Sequence, residues 1–97
     1  MSTLSNSEEF YEKLKDQLHQ TNTWPAEYLY KFIIKTDLHK LAQLEAIFDN
    51  MGAVINTIES KKGKYTSVSV NLLMRNPDAV IEKYKEVAEN VQGVISL

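Results

Sequence analysis

The sequence predicts an α+β domain whose strands and helices follow the order β-α-β-β-α-β, with one further helix in front. Three observations carry that expectation. Tyr28 to Thr36 and Tyr65 to Met74 both alternate in the period of two that marks a strand. A short lysine-rich stretch with one glycine separates two strand-like runs, as in a hairpin. Asn76-Pro77-Asp78 opens a segment of helical period, because a capping amide, a proline at the first helical position and an acid in the first turn all favour a helix start.

The first helix is expected from Ser7, with Ser7 as N-cap and Glu8 and Glu9 in the positive first turn. Its apolar stripe is Phe10, Leu14 and Leu18, widened by Tyr11. Pro25 cannot continue a helix and biases Trp24 toward extended backbone, so residues 1–23 read as a helix and linker and 24–97 as the domain proper. In the first strand Tyr28, Tyr30, Phe32 and Ile34 share one side, while Leu29, Lys31, Ile33 and Lys35 share the other. Asp37 then caps a helix with the stripe Leu41, Leu44, Phe48 and Met51, and Gly52 is expected to stop it.

Ala53 to Glu59 and Tyr65 to Met74 are the hairpin strands, joined by Ser60-Lys61-Lys62-Gly63-Lys64, where Gly63 can take the positive φ of a tight turn. Thr66, Val68, Val70, Leu72 and Met74 form the apolar series of the second, against Tyr65, Ser67, Ser69, Asn71 and Leu73. The last helix places Val80, Ile81, Tyr84, Val87, Ala88 and Val91 on one face, and a short strand from Val94 to Leu97 follows Gly93. Handedness and connection rules fold this order into a four-stranded antiparallel sheet with two helices on one face, the ferredoxin-like arrangement.

Composition narrows the function by exclusion. A chain of 97 residues with 43% hydrophobic and 25% charged residues is long enough for one core and too short for two. Having no cysteine, it can form neither disulfides nor thiolate metal sites, which fits a reducing compartment, and the cytoplasm is the expected location. No apolar run is long enough to span a bilayer, and the opening residues lack the pattern of a signal peptide. A net charge of −2 offers no general attraction to nucleic acid or anionic lipid, so neither is expected as a partner.

The chemistry of several functions known on this topology is missing. RNA recognition needs stacking aromatics where Ser67 and Ser69 stand. Metal carriage would need paired cysteines, and His19 and His39 sit on different helices without ligand spacing. Phosphate chemistry would call for an arginine at the first strand-to-helix junction, which reads Thr36-Asp37-Leu38-His39. Amino-acid-binding ACT domains use glycine-bearing turns there, and this chain has none. No catalytic residue, cofactor or metal site is therefore expected. The open sheet face, with Lys31, Ile33, Lys35, Ser67, Ser69 and Asn71, is either a solvated surface or an interface, with a second copy or with the first helix folded back. The hairpin lysines are either solubilising charge or a docking point for an acidic partner.

Trp24-Pro25, Tyr30-Lys31 and Ser60-x-x-Gly63-x-Tyr65-x-Ser67-Val68-Ser69 resemble the YbeD-like family of proposed lipoate regulatory proteins, over roughly Trp24 to Leu97. The resemblance implies an ACT-like fold and a regulatory role without established catalytic residues. The same motif has a structural reading, in which Gly63 makes the turn, Tyr65 packs across it, and Ser60 and Ser67 satisfy nearby backbone groups. The expectation is thus a small non-catalytic regulatory or protein-interaction module, acting as a homodimer or on another protein. Its expected surface is Lys31, Lys35, Ser60, Lys61, Lys62, Gly63, Lys64, Tyr65, Ser67 and Ser69. The alternative is an ACT-like sensor binding a small metabolite at an edge or dimer seam.

Overall fold

The computed structural model describes residues 6–97, with side chains from Glu8 onward. In chain order its elements are α1 (Asn6–Thr21), β1 (Ala26–Lys35), α2 (Leu38–Ile47), β2 (Val54–Glu59), β3 (Tyr65–Met74), α3 (Pro77–Asn90) and β4 (Ile95–Ser96). The strands form one antiparallel sheet in the order β2-β3-β1-β4. The α+β class and the antiparallel sheet agree with the sequence, and the architecture is consistent with the ferredoxin-like type.

Both central strands owe their partnership to alternation. β1 and β3 pair along their whole length, from Ala26 opposite Met74 to Lys35 opposite Tyr65. That register puts Tyr30, Phe32 and Ile34 on the same face as Thr66, Val68, Val70, Leu72 and Met74, and all of them are buried. A slip of one residue between them would turn one strand's apolar set to the opposite face from the other's. Leu44 from α2, its C-cap residue Phe48, and Val80, Ile81, Tyr84 and Val87 from α3 close this face, as the helical stripes predicted. Tyr30, Phe32, Phe48 and Tyr84 meet ring to ring, with centroids 4.8 Å apart for Tyr30 and Tyr84 and 5.1 Å for Tyr30 and Phe48. The polar tips are not left bare: the Tyr30 hydroxyl donates to the Val80 carbonyl at 3.0 Å, and those of Tyr28 and Tyr84 share a bond at 2.7 Å. Burial pushes the titration of Tyr30 and Tyr84 far up, and for Tyr84 the bond with Tyr28 adds to it.

The helix starts follow the capping residues. Asp37 accepts from the N–H of His39 at 2.8 Å and of Lys40 at 3.2 Å, and Asn76 accepts from Ala79 N–H at 2.8 Å. Asn6 is already helical, so Ser7 lies within α1 instead of capping it; the Ser7 side chain is outside the described part. At the other end of α2 the helix stops at Ile47, before Gly52, because a looser turn takes over in which Asn50 (φ 61°) and Gly52 (φ 69°) both adopt left-handed backbone. Thr36 falls outside β1, where its N–H donates to the Lys64 carbonyl at 3.0 Å and ties the strand end to the hairpin. β2 begins at Val54, one residue later than expected. β4 shrinks to Ile95–Ser96, with Leu97 N–H still bonded to the Lys31 carbonyl at 2.9 Å. Ala88 is exposed, because it lies at the rim of the stripe that Tyr84, Val87 and Val91 bury.

The layer over the sheet holds a third helix beyond the two expected. α1 packs along α3: Tyr11 stacks at 6.5 Å from Tyr84, and Lys15 pairs with Asp78 at 2.8 Å. Leu18 is buried in the core, and Trp24 donates its indole N–H to the Leu18 carbonyl at 3.0 Å, which fixes the corner between α1 and β1. Leu14 is half-buried, whereas Phe10, at the outer end of the stripe, is exposed. The first helix therefore does not fold back over the open face of the sheet.

Candidate interaction surface

The face away from the helices is assembled row by row across the strands. β3, at its middle, carries no charged residue and offers Ser67, Ser69 and Asn71 outward. Opposite Ser67 stand Ile33 on β1 and Ile58 on β2, and Ile95 on β4 stands opposite Ile33. One row thus runs Ile58, Ser67, Ile33, Ile95 from edge to edge. Ile58 is 72% exposed and Ile95 53%, values that place two large apolar side chains in solvent at a cost burial would recover. Leu29, Val54 and Leu73 extend the apolar character toward the far end of the sheet.

Between these side chains lies a hollow of about 410 Å³, lined by Ile33, Ile58, Glu59, Ser60, Tyr65, Ser67 and Ile95. The hairpin forms one of its walls through the three bonds of Ser60. Its N–H donates to the Tyr65 carbonyl at 2.8 Å, its carbonyl accepts from Gly63 N–H at 2.8 Å, and its hydroxyl accepts from Tyr65 N–H at 3.0 Å. Gly63 sits at φ 69° with open space where a Cβ would point, so its role is conformational. Tyr65 is 39% exposed, and the Lys64 ammonium lies 5.7 Å from its ring centre. Among the described hydrogen bonds Ser60 satisfies the backbone as expected, and none involves the Ser67 hydroxyl.

Charge surrounds the hollow on the hairpin side. Lys35 stands opposite Tyr65 and Lys31 opposite Ser69, both exposed, and Lys61, Lys62 and Lys64 are exposed on the turn. Among the described ion pairs none engages these lysines. Most acids lie elsewhere: α1 carries Glu8, Glu9, Glu12 and Asp16 against Lys13 and Lys15, and α3 carries Asp78, Glu82, Glu86 and Glu89 against Lys83 and Lys85. On the strands only Glu27 and Glu59 are acidic, and Glu59, although opposite Thr66 in the register, is exposed and lines the hollow. A near-neutral chain is thereby divided into an acidic helix layer and a basic hairpin end.

Sequence reasoning found the lysines and serines of this surface but missed Ile58 and Ile95. The residues that the sequence places on this face all come from the two central strands. β2 has a burial pattern with no alternation to reveal its facing, and β4 is too short to show one. The signal that could have found Ile58 was the hairpin itself: pairing Ser60 with Tyr65 forces Ile58 beside Ser67.

The remaining titratable features have structural explanations. The N–H groups of Lys40 and His39 hold Asp37 below the usual carboxylate range, and the Lys15 ammonium does the same to Asp78 while its own titration rises. A second hollow, of about 430 Å³, lies between α1 and α3 beside this ion pair. His19 and His39 are both exposed, on α1 and α2, and no group of three potential metal ligands occurs among the described residues. No described helix is long and apolar enough to cross a membrane. Comparison with family models, with curated proteins and with solved structures found no match to this chain.

Proposed function

We propose that this chain is a small non-catalytic regulatory or protein-interaction module that works through its open sheet face and lysine hairpin, as a homodimer or on another protein. The observation that carries the reading is the row of Ile58, Ser67, Ile33 and Ile95, with Ile58 and Ile95 exposed and Ile33 half-buried between them, beside lysines without carboxylate partners among the described residues. Burying one such isoleucine contributes about 1.5–3 kcal/mol, which a folded monomer forgoes. Within the same proposal the fold is ferredoxin-like and ACT-like, the YbeD-like resemblance of the hairpin motif supports a regulatory role, and the cysteine-free composition supports a cytoplasmic setting. Size-exclusion chromatography with light scattering, paired with pull-down from native lysate, tests it. Association should weaken in Ile58→Ser, and a strictly monomeric chain that captures nothing would overturn the reading.

The hollow itself favours a second reading, a sensor of a small metabolite, since about 410 Å³ lies in the usual range of ligand sites. A ligand that binds only the folded chain raises its melting temperature. A thermal-shift screen of amino acids, short acids and nucleotides that gives no shift at saturation counts against this reading.

A further inference from the structure

We infer that the open face receives an acidic peptide segment of another protein, with an apolar side chain of that segment seated in the hollow between Ile58 and Ile95. The inference rests on the interaction reading above and names the partner's chemistry. Shape gives the first argument. The hollow is concave and floored by Ile33 and Ser67, so it accepts a projecting side chain, whereas a flat bilayer surface would leave it empty. Charge gives the second. Lys35, Lys61, Lys62 and Lys64 stand beyond the lining on the hairpin side of the hollow, no described ion pair neutralises them, and they outnumber Glu59, the acid that lines it. Two such faces stacked hairpin over hairpin would set lysine against lysine around their apolar rows, a cost that an acidic segment turns into attraction. The Ser67 hydroxyl, without a described hydrogen bond, is a donor for a carboxylate or backbone carbonyl of the segment. The hairpin is held in shape by the three Ser60 bonds before any partner arrives, so little ordering cost falls on the protein side.

The test titrates the full chain into a fluorescein-labelled peptide of glutamates around a central Ile-Glu-Ile, read by anisotropy. Comparison peptides replace the glutamates with lysine or the isoleucines with alanine, and phosphatidylglycerol-phosphatidylcholine vesicles form a separate arm. Binding should be confined to the acidic, isoleucine-bearing peptide. It should fall about tenfold in Ile58→Ser, the value of one buried aliphatic side chain. A loss of roughly tenfold or more is expected in the double variant Lys61→Glu with Lys62→Glu, and rising salt should weaken the wild-type complex. Circular dichroism confirms that both variants fold, since the altered side chains are exposed. Equal binding of the lysine peptide, or binding insensitive to the lysine changes, overturns the inference. If the peptides fail while the chain self-associates in a manner abolished by Ile58→Ser, the occupant is a second copy and the interaction reading survives. Vesicle binding without peptide binding overturns the inference in favour of a lipid surface. Inert behaviour in every arm removes both the inference and the reading beneath it.

Discussion

The two faces of the sheet are made from the same strands and differ in almost everything else. On one, Tyr30, Phe32, Val68 and Val70 are closed off by α2 and α3, with every polar tip engaged. On the other, Ile58 and Ile95 stand open on either side of half-buried Ile33, beside serines and lysines. Alternation along β1 and β3 builds both at once, so the difference lies in what covers them. Stability is concentrated on the covered face, and the open face is left free to change without unfolding the chain.

The sharpest way to break this comparison is to truncate one apolar side chain on each side. Phe32→Ala, at a fully buried position, should lower unfolding free energy by about 3–5 kcal/mol in urea titration, whereas exposed Ile58→Ser should cost under about 0.5 kcal/mol. Comparable losses at the two sites would show that Ile58 is covered in solution. Next in size is the turn that walls the hollow. Gly63→Ala meets no steric obstacle, yet its φ of 69° should cost about 1–2 kcal/mol by the same titration. That loss should leave the core's near-ultraviolet dichroism unchanged. Asn76→Ala removes the acceptor for Ala79 N–H and should cost about 1 kcal/mol, confined to the covered side and therefore without effect on peptide binding.

The smallest effect is electrostatic. Asp78 titrates below its ordinary value of 3.8 because of Lys15, so its contribution to stability is full above that value and is lost as pH falls through the lowered one. Lys15 titrates above 10.5, so its share is present below that value and lost only as pH rises through the raised one. Urea midpoints followed against pH should drop on the acid side, and Asp78→Asn should flatten that drop. The residual slope belongs to Asp37, which its capping N–H bonds also hold low. An unchanged acid limb in Asp78→Asn would detach α1 from the stability of the covered layer.

How much of this was legible in the sequence follows the range of the forces involved. Local signals read well: the alternation of Tyr28 to Ile34 and Thr66 to Met74, the caps Asp37 and Asn76, and the turn at Gly63 all act within a few residues. The resting place of α1 did not, because its apolar stripe says that it must be buried but not against what. Tyr84, Asp78 and Trp24 settle that, and two of them are far along the chain. Ile58 and Ile95 were hidden for a related reason. Each sits on an edge strand whose facing is set by register with a neighbour and leaves no periodic trace of its own.

The division of charge between the helix layer and the hairpin end has a consequence that net charge conceals. A body whose helix layer holds more carboxylates than lysines, and whose hairpin end holds more lysines than carboxylates, carries a permanent dipole even when the whole is nearly neutral. In the field of a charged neighbour such a body rotates before it touches. Its collisions with an acidic surface are therefore biased toward the lysine end, and the bias fades beyond a Debye length of about 8 Å at physiological ionic strength. Orientation at encounter, more than attraction over distance, is what this distribution of side chains supplies.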